Sequence, residues 1–272
     1  MERRDAIVIG AGLNGLIAAA YLARAGRDVL VLDRGPAAGG LCATHEIAPG
    51  FHVPRYTLGS GGLPARIAAD LDLPRHGLRF IRAEGGVSIF PDGRYHASYR
   101  DGVVHRREIA RHSRRDADAW TRYRRGMLRA ARALAPLLAG AAGKARSGLF
   151  AGLRARLALA DRIAATPADG IRDMLALWTL PASEFLDTCF ESDVVKAHLA
   201  AAAMMGGTLA PSSPTSAARL ITPWLDVAGD ASGGAPDILM PHGGPAALIG
   251  ALEAVITGSG GQLRMEAEVT DV

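Results

Sequence analysis

The chain has 272 residues, 49% of them hydrophobic and 21% charged, with a formal net charge of +4, which is enough for one large domain or two smaller ones. Its two cysteines, Cys42 and Cys189, lie far apart and form no CxxC pair, which excludes a disulfide framework and favours a reducing, cytoplasmic location. No stretch approaches the roughly 20 apolar residues of a membrane-spanning helix, and the arginines are not interleaved with aromatic residues, which argues against nucleic-acid binding.

The start of the chain predicts a strand, a glycine-rich loop, a helix and a second strand. The apolar run "AIVI" leads into Gly10, Gly12 and Gly15, and "LIAAAYLARAG" follows as a helix rich in small residues. "DVLVLDR" predicts the second strand, with Asp33 at its end. A G-x-G-x-x-G loop between a strand and a helix, with an acidic residue about 20 positions further on, is typical of a Rossmann-like dinucleotide-binding domain.

Each position of this loop has a mechanical reason. Gly10 permits a tight turn, a side chain at Gly12 would collide with the pyrophosphate, and Gly15 lets the helix pack closely on the strand. The N-terminus of the helix offers free amides to the phosphates. The Asp33 carboxylate can accept hydrogen bonds from the adenosine ribose and would repel a 2′-phosphate, which disfavours NADP. The predicted cofactor contacts here are Gly10, Gly12, Leu13, Asn14, Gly15 and Asp33.

A second glycine pair follows in "DRGPAAGGLCATHE". Together, "VIGAGLNGLIAAAYLARAG" and "VLDRGPAAGGLCATHEIAPGF" resemble the start of phytoene dehydrogenase-like FAD-dependent oxidoreductases. This superfamily includes carotenoid desaturases and isomerases and, more remotely, flavin amine oxidases. The resemblance implies FAD as the cofactor, with Gly39, Gly40 and Leu41 as further contacts near the diphosphate and the isoalloxazine ring. It also implies that Arg34 lies over the adenosine end.

The middle of the chain predicts a hairpin and a set of helices. Residues 51–80 indicate connecting turns and a short helix, and the alternation around Pro91-Asp92-Gly93 predicts a β-hairpin. Ser113 with Asp116 has the pattern of a capping box that opens a long helical tract, and further helices follow to about residue 205.

Residues 106–162 form a basic tract, with fifteen arginines or lysines against four acidic residues. The simplest interpretation is a solvated face, but an acidic carrier, a membrane surface or a partner subunit would also suit it. In the resembled family, a cap covering the substrate interrupts the FAD-binding domain. The segments "PDGRYHASYRDG", "ESDVVKAHLAAAAMMGG" and "SPTSAARL" resemble that cap.

The end of the chain returns to a strand-and-helix pattern. Gly243 and Gly244 open a helix, and "QLRMEAEVTDV" predicts two strands or one bent strand. By resemblance, the backbone of Val269 meets the adenine. We therefore expect an α/β fold, a Rossmann-like FAD-binding domain with a parallel sheet and helices on both faces. Its parts are residues 1–80 and 236–272, interrupted by a mixed β-hairpin and helical cap at residues 81–235.

Members of the resembled family are longer and carry a further glycine-rich segment that closes over the flavin. The sequence is therefore compatible with a truncated product or with a fold completed by a second polypeptide, and we expect the second polypeptide. An FAD domain lacking that segment would leave sheet edges and an apolar face in water.

Candidate catalytic residues are His242, Glu46 and Arg55, because a base near the flavin often assists C–H oxidation. His45 adjoins Glu46, but neighbours in an extended segment point to opposite faces. Cys42 has no partner cysteine nearby and is interpreted as a buried bystander. The remaining histidines show no HxxxH spacing, so no metal site is predicted.

The resemblance implies a dehydrogenase or desaturase that transfers a hydride from a C–H bond of a small, largely apolar biosynthetic substrate to flavin N5. Such a substrate could be delivered by a carrier or a membrane. Two alternatives stay open: a redox-neutral isomerase that uses reduced flavin, and a non-catalytic nucleotide-binding subunit of a heteromeric complex.

Overall fold

The computed structural model describes residues 3–56, 63–141, 168–204, 207–225, 235–236 and 239–272. Two units are distinguished: the first unit is Met1–Ala83 with Ile238–Val272, and the second unit is Glu84–Asp237. Each unit has its own cluster of buried apolar side chains. Within the described residues, none of the helices combines the length and the apolar character needed to cross a membrane.

The first unit is built on a three-stranded parallel sheet in the order β1-β2-β9. Its strands are β1 (Ala6–Ile9), β2 (Val29–Leu32) and β9 (Gln262–Arg264). The central strand β2 is an apolar run with Val29 and Val31 fully buried, as expected of a strand covered on its faces. The predicted α/β class with a parallel sheet is therefore confirmed.

Two helices pack against this sheet and against each other, α1 (Leu13–Arg24) and α8 (Pro245–Gly258). The buried face of α1 is mostly alanine, which allows close packing, whereas α8 contributes larger aliphatic side chains. On β1, Ala6 and Val8 pack toward this core, while Ile7 and Ile9 on the opposite face are 56% and 55% exposed. The helix predicted after Gly243 and Gly244 is α8.

The rest of the first unit differs from the expectation of turns and one short helix at residues 51–80. The short helix is present as α2 (Ala65–Asp70), but two strands also fall in this region. β3 (Thr44–Ala48) pairs antiparallel with β4 (Phe51–Pro54), and β5 (Phe80–Arg82) pairs antiparallel with β8 (Leu239–Pro241). Both strands are short, and their pairing partners lie outside the stretch, so the stretch itself carried little periodic signal.

The second unit combines the predicted hairpin with five described helices. The hairpin strands are β6 (Gly85–Ile89) and β7 (Tyr95–Tyr99), which pair antiparallel around the predicted turn. The helices are α3 (Gly102–Ala110), α4 (Arg114–Ala141), α5 (Ala168–Thr179), α6 (Ala182–Cys189) and α7 (Asp193–Met204). A 3₁₀-helical segment, Ser216–Trp224, follows. Residues 142–162 of the basic tract and residues 205–206 of the proposed cap segment lie outside the described residues.

The predicted capping box at the start of α4 is only half formed. The Ser113 hydroxyl oxygen accepts from the backbone N–H of Asp116 at 3.1 Å, as the pattern requires. The Asp116 carboxylate is buried and instead accepts from the backbone N–H groups of Glu191 and Ser192, at 2.8 and 2.9 Å. Tertiary packing thus uses this carboxylate to fix the segment that leads into α7.

Candidate nucleotide-binding site

The loop after β1 depends on glycine at two positions for reasons internal to the protein. Gly10 has φ +99°, a conformation that side chains rarely adopt. At Gly15, an added Cβ would lie 2.0 Å from the carbonyl oxygen of Gly10, so α1 could not approach the strand end with any side chain there. The turn and packing roles predicted for these two glycines therefore have a clear basis in the geometry.

Gly12 is different, because the protein itself does not require a glycine there. Its φ of −73° and ψ of 171° are open to any residue, and an added Cβ would meet no protein atom within 4 Å. The space in front of this backbone is open. Gly12 is also the N-cap of α1 and provides no side-chain hydrogen bond, so no side chain caps the first amides of that helix. Leu13 and Asn14 form its first positions.

The second glycine pair packs directly against this loop. The Gly39 N–H donates to the carbonyl oxygen of Ala11 at 2.8 Å, and Gly12 and Gly39 form a parallel β-bridge. Gly39 and Gly40 have φ of +125° and +54°, and a Cβ on Gly40 would lie 3.2 Å from Cα of Gly12. Leu41, next in the chain, is 70% exposed. The two glycine motifs, separated in sequence, thus form one surface.

Asp33 is held in place by both loops. Its Oδ2 accepts from the Ala11 N–H and its Oδ1 accepts from the Gly35 N–H, each at 2.7 Å. Each carboxylate oxygen keeps further acceptor capacity, because it has two lone pairs. The carboxylate that the sequence predicts to bind ribose is therefore fixed in orientation before any ligand arrives.

A cavity of about 270 Å³ opens beside Asp33, at the carboxyl ends of β1 and β2. This is the edge of a parallel sheet where ligands of α/β proteins bind. The volume is slightly below the roughly 300–1,000 Å³ typical of ligand pockets, which suits a nucleoside-sized portion of a larger ligand. The lining residues are Ile9, Gly10, Leu32, Asp33, Arg34, Ala267, Glu268 and Val269.

The segment after β9 completes this cavity. The Ala267 N–H donates to the Asp33 carbonyl oxygen and the Glu266 N–H donates to the Gly35 carbonyl oxygen, both at 2.9 Å. Glu266 has φ +53°, an uncommon value for a residue with a side chain. Val269 lines the cavity with Asp33, but it lies in irregular chain, so the extended strand predicted through "AEV" is wrong beyond Arg264.

Sequence reasoning missed two lining residues of this cavity, Ala267 and Glu268. The available signal was their position directly after a strand that joins the glycine-rich sheet. Glu268 adds a second carboxylate to that of Asp33, while Arg34 is an exposed cation at the same edge. The lining therefore contains two acidic groups and one basic group.

The three candidate catalytic residues are all exposed, and no hydrogen bond or ion pair joins any two of them among the described residues. The Glu46 Oε1 accepts from the Gly50 N–H at 2.8 Å and so stabilises the turn between β3 and β4. The Arg55 guanidinium carbon lies 5.3 Å from the Tyr56 ring centroid. His242 follows β8, and its backbone N–H donates to the Arg79 carbonyl oxygen at 2.8 Å.

Cys42 is buried beside the second glycine pair and forms no disulfide. Burial raises the pKa of its thiol, because the thiolate would lose hydration. A raised pKa disfavours the nucleophilic form, in agreement with a bystander role.

Residues 8–64, which contain both glycine motifs and Asp33, match the family described as NAD(P)-binding Rossmann-like domain. This segment is Rossmann-like in sequence and in structure. The Rossmann-like segment belongs to a chain that is 34% identical over 284 residues to rat "Pyridine nucleotide-disulfide oxidoreductase domain-containing protein 2". That alignment covers 98% of this chain and 48% of the rat protein.

Two further similarities point in the same direction. One of the limonene dehydrogenase subunits of Castellaniella defragrans is 39% identical over 123 residues, covering 43% of this chain and 22% of that protein. The structure of wild-type putrescine oxidase bound to putrescine aligns with a TM-score of 0.55 at 16% identity, covering 97% of this chain and 51% of the other. At that identity the structural similarity establishes the fold alone.

The chain spans about half the length of the first relatives that it matches, 48% for the rat protein. The similarity to proteins named as oxidoreductases extends over nearly the whole chain. The chain is therefore related to oxidoreductases with a Rossmann-like domain, and its site is suited to a nucleotide cofactor.

Proposed function

We propose that the chain is the nucleotide-holding part of an FAD-dependent dehydrogenase or desaturase acting on a small, largely apolar substrate. The names of its relatives support oxidoreductase chemistry, and the two glycine motifs with Asp33 support a dinucleotide. When bound, FAD would supply the acceptor for a hydride from a substrate C–H bond, with flavin N5 as the receiving atom.

Gly12 carries this proposal. The chain does not need glycine there for its own folding, since its backbone conformation is ordinary and the Cβ position is open. A ligand that approaches the backbone closely gives a reason for the missing side chain, and a diphosphate at the start of α1 is such a ligand. Gly10 and Gly15, in contrast, have sufficient reasons within the protein.

The remaining residues would divide the dinucleotide between them. The amides of α1, beginning at Leu13, would bind the diphosphate, and Gly39 and Gly40 would keep the opposite side free of side chains. Asp33 would accept hydrogen bonds from the ribose, and the cavity beside it would hold the adenosine. Asp33 and Glu268 would both repel a 2′-phosphate, so FAD or NAD is favoured over NADP.

Cofactor binding is tested by titrating the purified chain separately with FAD, NAD⁺ and NADP⁺ and measuring heat and fluorescence. We expect saturable binding of FAD, weaker competition by NAD⁺ and the weakest by NADP⁺. NADP⁺ binding more tightly than FAD would refute the assignment of the cofactor. Failure of all three to bind would refute the nucleotide site itself.

Substrate chemistry separates the dehydrogenase from its alternatives. Bleaching of the oxidised flavin by substrate without an added reductant supports the dehydrogenase. A requirement for prior reduction of the flavin supports a redox-neutral isomerase. A holoprotein complex in which only the partner's residues affect turnover supports the non-catalytic alternative. His242, Glu46 and Arg55 remain the catalytic candidates for such assays.

The proposal includes a second polypeptide that packs on the open face of β1. Ile7 and Ile9 are 56% and 55% exposed there, whereas strands of a parallel sheet are usually covered on both faces. The relative from Castellaniella defragrans is itself named as one of several subunits. Co-purification of the untagged protein followed by mass spectrometry tests this, and a protein that purifies alone as a stable monomer would contradict it.

A further inference from the structure

Four histidines and one glutamate converge in the second unit, although they are spread widely along the sequence. His96 lies on β7, His105 and Glu108 on α3, His112 in the turn after α3, and His198 on α7. The ring centroid of His96 is 4.7 Å from that of His198, 5.2 Å from that of His112 and 6.3 Å from that of His105. We name this group the histidine cluster.

Three of these rings have a buried nitrogen without a hydrogen-bond partner among the described residues: Nδ1 of His96, Nε2 of His105 and Nε2 of His112. His96 is only 1% exposed, so solvent does not satisfy it. A buried polar atom without a partner is unfavourable, and such atoms in a folded protein call for an explanation such as a bound ion. His96 and His112 are the pair that a carboxylate joins.

Glu108 completes a set of three ligands with these two histidines. One ring nitrogen from His96, one from His112 and one carboxylate oxygen of Glu108 lie within 4.8 Å of one another. We propose that His96, Glu108 and His112 bind one divalent transition-metal ion of the Zn²⁺ class. The site would tie β7 to the end of α3, and it lies in a different unit from the nucleotide site.

The geometry requires only a small contraction to hold such an ion. Ligand atoms around tetrahedral Zn²⁺ sit at about 2.0–2.2 Å from the metal and therefore about 3.4 Å from one another. Three protein ligands of the His₂Glu type with a further open position are an established arrangement for Zn²⁺. Two imidazoles in a set of three disfavour Ca²⁺ and Mg²⁺, which prefer oxygen ligands.

Neighbouring groups already orient the carboxylate. The Ala97 N–H donates to Oε1 of Glu108 at 3.3 Å, and Nη1 of Arg111 lies 2.7 Å from both carboxylate oxygens. Each oxygen retains lone pairs for a metal. The Arg111 cation opposes the ion electrostatically, but its side chain is 47% exposed and is free to turn toward water.

The other two histidines of the cluster are engaged differently. The His105 Nδ1 accepts from the Tyr99 N–H at 3.2 Å, so the ring proton resides on Nε2, and that nitrogen is not available as a ligand. The His198 Nδ1 is hydrogen-bonded to the Ser88 hydroxyl at 2.8 Å, which fixes the ring beside His96. We therefore assign these two as surrounding groups that shape the site.

The test uses the whole chain after treatment with a chelator and dialysis. Zn²⁺ binding is measured by calorimetry, and Co²⁺ is used as a spectroscopic substitute whose visible absorption reports nitrogen and oxygen ligands in low coordination. We expect one ion per chain with both metals. Absence of stoichiometric binding, leaving the histidines as a metal-free packed cluster, would overturn the proposal.

Variants assign the ligands. His96→Gln, Glu108→Gln and His112→Gln should each weaken Zn²⁺ binding by at least about 10-fold, the minimum seen when even supporting groups of a metal site are removed. His76→Gln changes an exposed histidine of the first unit and should bind Zn²⁺ like the unaltered chain. Equal affinity in all four variants would assign the ion to other residues and refute the site.

Two of the substituted residues are buried, so folding is checked by circular dichroism before affinities are compared. If His96→Gln and Glu108→Gln unfold, His112→Gln decides, because its side chain is only half-buried. FAD titration of the same variants keeps the two sites separate: it should be unchanged in His112→Gln whether or not Zn²⁺ binds. Unchanged Zn²⁺ affinity in folded His112→Gln would overturn the assignment.

Discussion

Gly12→Ala is expected to separate cofactor binding from folding. The new methyl group would project into space where no protein atom lies within 4 Å, and the backbone angles of Gly12 are normal for alanine. Gly15→Ala is its natural comparison, since the same methyl group there would lie 2.0 Å from the Gly10 carbonyl oxygen. The two substitutions are chemically identical and three positions apart.

The expected magnitudes differ in sign. For Gly12→Ala, the free energy of unfolding of the ligand-free chain should be unchanged or raised by about 0.4–1 kcal/mol, because alanine restricts the unfolded chain more than glycine. FAD affinity should fall at least about 10-fold, or about 1.4 kcal/mol, since the methyl group occupies the space of the diphosphate. Gly15→Ala should lower the free energy of unfolding by about 1–3 kcal/mol or more, because the backbone must shift.

Urea unfolding followed by circular dichroism measures the first quantity, and calorimetric titration with FAD measures the second. Gly250→Ala, on α8 with an open Cβ position, serves as a control that should leave FAD affinity unchanged. If Gly12→Ala binds FAD as tightly as the unaltered chain, the inference that a ligand approaches Gly12 is refuted. If it unfolds the chain, the glycine is structural after all.

Three further predictions concern stability. Asp33→Ala should lower the free energy of unfolding of the ligand-free chain by about 1–3 kcal/mol in urea, because the N–H groups of Ala11 and Gly35 lose their acceptor; no loss would contradict the role given to this carboxylate. Asp101→Ala should cost about 1 kcal/mol by the same assay, since the Asp101 side chain caps α3, and an unchanged midpoint would argue against that cap. Burial lowers the pKa of His96 to about 3 and that of His105 to about 4, so in chelator the unfolded chain, whose histidines titrate near 6.5, binds more protons below that pH. Stability should therefore fall by about 3–4 kcal/mol from pH 7 to pH 5, and a flat profile would contradict the burial of neutral rings.

That pH dependence arises from a group of charges and rings around His96. His105, His112, His198 and Arg111 all disfavour its protonation, after the dominant effect of burial. Glu108 acts in the opposite direction on His105 and His198. A second pair of unfolding measurements with Zn²⁺ present should show a steeper loss of stability on acidification, since protons and metal compete for the same nitrogens.

The Asp33→Ala result also bears on the non-catalytic alternative. A loss of stability in this variant could be taken as evidence that the nucleotide only stabilises a complex. The structure gives a simpler cause, because Asp33 joins two loops through backbone N–H groups in the absence of any ligand. Gly12→Ala is therefore the better variant for deciding whether cofactor binding is needed for turnover.

Local sequence was sufficient for the parts of the fold that are contiguous. β1, the glycine loop, α1 and β2 follow one another without interruption, and each was predictable from apolar runs, glycine spacing and the acidic residue at the strand end. The hairpin around Asp92 and the long helix α4 were predictable for the same reason. In each case the deciding interactions join residues close in the chain.

Short elements whose partners are distant in sequence escaped prediction. β5 exists because β8 pairs with it from the other end of the chain, and its three residues carry too little pattern to indicate a strand by themselves. Glu46 looked like a candidate base because of its position after the second glycine pair. The structure shows its carboxylate accepting from Gly50 within a hairpin turn, a role that depends on the turn geometry.

The sequence alone determined the Rossmann-like start of this protein, because backbone sterics and hydrophobic periodicity act between near neighbours along the chain. Only the tertiary structure decided which distant groups meet. It brought Ala267–Val269 beside Asp33 and gathered His96, Glu108 and His112 into one cluster. The physical reason is that such contacts depend on how whole strands and helices pack, and neither composition nor spacing records that packing.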